Sequence, residues 1–68
     1  MWIKPAVDSQ WPETWERPIA DGAYHVVEHR GAAYRLYTAP WHKAPPECST
    51  LHGSFASLDS AQRAADNI

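Results

Sequence analysis

The amino-acid sequence predicts an α+β fold: a three-stranded antiparallel sheet packed on one C-terminal helix, behind an irregular Trp/Pro-rich N-terminal arm. Three observations predict it. Residues 1–21 are broken by Pro5, Pro12 and Pro18, and proline within a helix removes a hydrogen bond and clashes with the preceding turn. The stretch "GAYHVVEHRGAAYRLYTAPW" sets two β-rich runs on either side of Arg30-Gly31, which is a hairpin signature. The final stretch, "HGSFASLDSAQRAADNI", runs from a strand pattern into a capped amphipathic helix. The whole chain, 1–68, reads as one small domain, with residues 1–21 as the arm and 22–67 as a strand–strand–strand–helix module.

In the arm, Ser9 to Glu16 suits one short helical turn with Pro12 near its start, placing Trp11 and Trp15 on one side. The reading preferred for these indoles is that they cover one edge of the core. Residues Met1 to Val7 are a candidate edge strand. With Arg30-Gly31 as a two-residue turn, Gly31 supplying positive φ, Val27 faces Tyr34 and His25 faces Leu36. Period-2 alternation then divides the hairpin. One face carries Ala23, His25, Val27, Tyr34, Leu36 and Thr38, and its aliphatic centre makes it the expected core. The other carries Tyr24, Val26, Glu28, Ala33, Arg35 and Tyr37.

Pro40, Pro45 and Pro46 make the following segment a loop. A third strand is expected around Leu51 to Ala56, with Phe55 as its anchor. Ser57 is the expected helix N-cap, and Asp59 sits in the first turn, where negative charge suits the dipole. Leu58, Ala61, Ala64, Ala65 and Ile68 form a narrow small-residue stripe that lets a helix lie close to a sheet.

This order of elements, with "GAYHVVEHRGAAYRLY … HGSFASLDSAQRAADN", resembles the APETALA2/ethylene-response-factor DNA-binding domain and the arm-site-binding domains of phage integrases. Gly53, Ser54, Phe55, Ser57 and Ala61 match the element by which the last strand of those domains enters its helix. The resemblance covers residues 22 to 67 and implies the same topology, with the free sheet face entering the DNA major groove. At those positions this chain carries Tyr24, Val26, Glu28, Ala33, Arg35 and Tyr37, where the families place arginines and tryptophans. One arginine against one glutamate leaves the face neutral, which ill suits phosphate contact.

Charge points the same way: six Lys/Arg against eight Asp/Glu give a net charge of −2. Nucleic-acid binders gain most of their affinity by neutralising phosphates, so nucleic acid is disfavoured as a partner. The single cysteine, Cys48, excludes an intrachain disulfide. No apolar run has the length of a signal peptide or a membrane span, so a soluble, cytoplasmic protein without membrane contact is expected.

Four histidines and a cysteine raise the question of zinc. His25 and His29 share a strand face but stand about 13 Å apart along an extended strand, too far to share an ion. Cys48 and His52 make a single chelating pair, which falls short of a site. No nucleophilic elbow, phosphate loop or dinucleotide fingerprint is present. No enzyme activity, cofactor or metal is therefore expected.

An aromatic surface is left to carry the function. Tyr24, Arg35 and Tyr37 share the second hairpin face, and Trp41 stands next at the loop entry. These residue types dominate the energetic centres of protein interfaces. With Arg30 at the hairpin tip they form the predicted protein-binding set. Should the arm cover one sheet face and the helix the other, the exposed candidates become the Trp41–Pro46 loop and the tip around Arg30. The sequence thus predicts a small non-enzymatic module that binds a protein partner. Its size and style fit a phage or mobile-element accessory protein, such as an anti-CRISPR-like inhibitor of host defence. Two other readings stay open: an arm-type DNA-binding or regulatory domain, and a small homo-oligomeric structural protein, a homodimer being its simplest form.

Overall fold

In the computed structural model, which describes residues 2–3, 13–42 and 44–68, the chain builds one antiparallel sheet and one C-terminal helix. The sheet has four strands in sequential order: β1 (Thr14–Pro18), β2 (Tyr24–Arg30), β3 (Ala33–Ala39) and β4 (Thr50–Phe55). Helix α1 (Leu58–Ala65) comes shortly after β4. No helix among the described residues is long and apolar enough to cross a membrane.

The fourth strand corrects the expectation of an irregular arm over 1–21 and of a helical turn reaching Glu16. Trp15 pairs with Val27 and Arg17 with His25. Pro18 is tolerated because its nitrogen, like that of Glu16 two residues earlier, points away from β2, where a missing donor breaks no ladder. The chain then reverses through Asp21 (φ 60°, ψ 32°) and Gly22 (φ 78°), with Ala23 N–H donating to the Ala20 carbonyl at 3.2 Å. Positive φ at both central positions is the type I′ arrangement, matched to the right-handed twist of paired strands. Ile3 adds an antiparallel bridge on the outer side of β1, exchanging backbone hydrogen bonds of 2.6 and 2.7 Å with Glu16. Residues 4–12, including Trp11 and most of the candidate edge strand, lie outside the described residues.

The β2–β3 turn is Gly31-Ala32, with Arg30 paired to Ala33, and not Arg30-Gly31. Gly31 has φ 61° while Ala32 keeps a negative φ, the type II′ pattern, which puts glycine at the first central position. Each cross-strand partner therefore moves by two: Val27 faces Leu36 and Val26 faces Tyr37. A shift of two keeps every side chain on its predicted face, because the face alternates with period 2.

Ser57 caps α1 as expected, its hydroxyl accepting from Ser60 N–H at 3.1 Å. Ala61 and Ala65 are buried against Val27 and Leu36, with Trp2, Trp15, Tyr34, Phe55, Leu58 and Ala64 around them. Ile68, expected on the same stripe, lies beyond the end of α1 and is exposed. The opposite face has a core of its own, formed by Val26, Tyr37 and Ala39 with Ala44 packed over them and Tyr24 alongside. Between Leu36 and Tyr37 the register with β4 shifts by one residue, leaving His52 as the extra residue of a bulge.

Candidate functional site

The predicted binding residues divide between two ends of the sheet. Tyr24 opens β2 and Arg30 closes it, so they stand about 20 Å apart at the usual rise of a strand. Arg35 pairs with Glu28 near the Arg30 end and is half-buried. No single contact patch of ordinary compactness is centred on all five residues. At the Tyr24 end the chain leaves β3 through Pro40, Trp41 and His42. There it turns back, Ala44 N–H donating to the Trp41 carbonyl at 3.1 Å.

Ala44 anchors that turn. It is 3% exposed, seated on Val26, Tyr37 and Ala39. It covers part of the face from which Tyr37 was expected to reach a partner. Tyr37 is accordingly only 6% exposed and belongs to the core. Trp41, held on the outer side of the same turn, remains 52% exposed. Tyr24 is half-buried with its ring 5.0 Å from that of His42. His42 Nε2 in turn lies 3.4 Å from Oε1 of Glu16. Leu51, across from Tyr37 on β4, adds a second exposed apolar side chain at 54%.

Glu16 and Glu28 are buried carboxylates on this same face. Among the described residues Glu28 Oε1 meets no hydrogen-bond donor, and Arg30 Nη1 stands 4.0 Å from it. The face that the resemblance would place in a DNA groove thus carries two buried acids and a tyrosine under a loop. Nothing in the local sequence marks Glu16, since its role depends on β1 pairing with β2. The signal that could have found that pairing is Asp21-Gly22, a dipeptide favoured in I′ turns.

The other candidates stay apart. Cys48 is exposed, at the end of a short 3-10 turn (Pro46–Cys48). His52 is engaged with Thr38 Oγ1 at 2.5 Å. His29 stacks on Tyr34 at 4.3 Å and lies 3.8 Å from Glu13. Among the described residues, no three of His, Cys, Asp or Glu gather as a metal site would need.

Comparison of the chain with protein-family models, with curated proteins and with solved structures finds no match in any of the three.

Proposed function

We propose that the protein is a small binding module that acts through protein–protein contact, and that its contact surface is centred on Trp41. The observation that carries this reading is an indole more than half exposed on a turn that Ala44 locks into the core. A large apolar ring carried on an anchored turn buries much area on contact, and the backbone beneath it has little conformational entropy left to lose. Tyr24 and Leu51 extend the apolar surface at that end of the sheet, and the exposed His42, which faces the buried Glu16, supplies a polar contact. The reading extends to a phage or mobile-element accessory protein, and within that class to an inhibitor that blocks a host defence protein by covering its surface.

The test is capture of partners from a host lysate by the tagged chain, followed by mass spectrometry. Trp41→Ala is expected to lose the partner that wild type retains, with an unchanged circular dichroism spectrum. Arg30→Ala, at the opposite end of the sheet, is expected to keep it. Capture that survives Trp41→Ala but fails with Arg30→Ala moves the surface to the hairpin tip. Duplex DNA binding at low salt, falling steeply as salt is added, favours the arm-type DNA-binding reading instead.

A further inference from the structure

The two ends of the chain meet at one histidine on the helix-covered face of the sheet. Arg17 of β1 extends its guanidinium between β2 and the end of α1. Its Nη1 donates to Asp66 Oδ1 at 2.5 Å and its Nη2 to His25 Nδ1 at 3.0 Å. The same guanidinium lies 4.8 Å over the ring of Trp2, and Trp2 stacks on His25 with centroids 6.5 Å apart. Arginine has donors only. His25 Nδ1 must therefore accept, so the neutral ring carries its proton on Nε2.

We propose that this joint is an acid-operated latch: protonation of His25 at Nδ1 ejects the Arg17 guanidinium and releases the Trp2 ring and the Asp66 turn from it. A proton on Nδ1 replaces an acceptor with a donor facing a donor, and sets two positive charges side by side. Arg17 touches both Asp66 and the Trp2 ring, so its displacement loosens those two contacts together, while the Ile3–Glu16 bridge keeps the adjoining backbone on β1. The ladders joining β2, β3 and β4 involve none of these side chains and stay paired.

The surroundings set the direction of the response. Burial holds the His25 pKa below 6.5, helped by Arg17 from β1 and His52 from β4, and opposed by Asp66 from beyond α1. From β3 the facing side chain is Thr38, which does not titrate and holds His52. Asp66 is 63% exposed, so water screens the attraction it offers a charged imidazole. With the folded pKa below the unfolded one, the open chain binds more protons as pH falls below about 6.5. Latch stability is complete above that pH and declines as pH drops through the lowered value.

The test is a titration of the full chain by two-dimensional NMR from pH 8 to pH 5, following the His25 ring, the Trp2 indole N–H and the Asp66 and Asn67 amides. The expected result is one shared midpoint below 6.5, with hydrogen exchange at Asp66 and Asn67, corrected for its intrinsic pH dependence, rising several-fold across it. The β2 and β3 amides are expected to stay protected. His25→Asn keeps an acceptor oxygen near the Nδ1 position and removes the titration, so its Trp2 and Asp66 signals are expected to stay constant. A His25 ring titrating at 6.5 or above, Trp2 and Asp66 signals that do not follow it, or a His25→Asn chain with the wild-type transition would each overturn the latch. Should His25→Asn not fold, the wild-type titration decides alone.

Discussion

Leu36 and Tyr37 are neighbours in β3 that enter opposite sides of the sheet, and both are buried. Leu36 is fully enclosed between Val27 and the alanines of α1. Truncation there leaves a void that a four-stranded sheet cannot close, so Leu36→Ala is expected to destabilise the fold by about 3 kcal/mol. Urea unfolding followed by tryptophan fluorescence measures it, and a loss under about 1 kcal/mol would mean that α1 collapses into the gap. Leu36 is legible as core because alternation places it with Val27. Tyr37 is not: its chemistry suits an interface centre and a core equally well. The choice between them falls to Ala44, a residue whose size and polarity announce nothing.

Among the elements, turn chemistry outweighs the composition of the strands it joins. The segment Thr14–Pro18 looks irregular because prolines flank it, yet Asp21-Gly22 turns it back onto β2. The β2–β3 hairpin is legible, but its register differs by two from expectation, because Arg30-Gly31 as the turn puts the glycine at the second central position. In a II′ turn it belongs at the first. Gly31 holds φ 61°, a conformation that costs an L-residue about 1–2 kcal/mol. Nothing lies within 4 Å of an added Cβ, so Gly31→Ala is expected to cost that amount through backbone strain alone. Thermal unfolding by circular dichroism checks it, and a wild-type midpoint would show that the tip relaxes into another turn. Helix α1 is the most legible element, because cap, charge placement and stripe agree over adjacent residues.

Across the whole fold, α1 holds to the sheet through small residues, which lets its backbone approach Val27 and Leu36 closely. Ala61 is fully buried at that contact. Ala61→Leu would force the helix outward and is expected to destabilise by about 1–3 kcal/mol, read from the urea midpoint. A stabilised Ala61→Leu chain would mean that the contact is underpacked. A lifted helix would also move Asp66 away from Arg17, so the same variant is expected to weaken the latch at His25.

The α+β class, the capped C-terminal helix and the face on which each hairpin side chain lies are all written in the order of residues. They depend on local spacing, and a slip of two residues leaves them unchanged. The folded chain alone reveals that β1 joins the sheet, that Ala44 closes over Tyr37 and leaves Trp41 outside, and that Arg17 ties His25 to Asp66. Each of those facts is a meeting of segments separated along the chain. Local periodicity cannot encode such a meeting, because it depends on where turns and loops return the backbone.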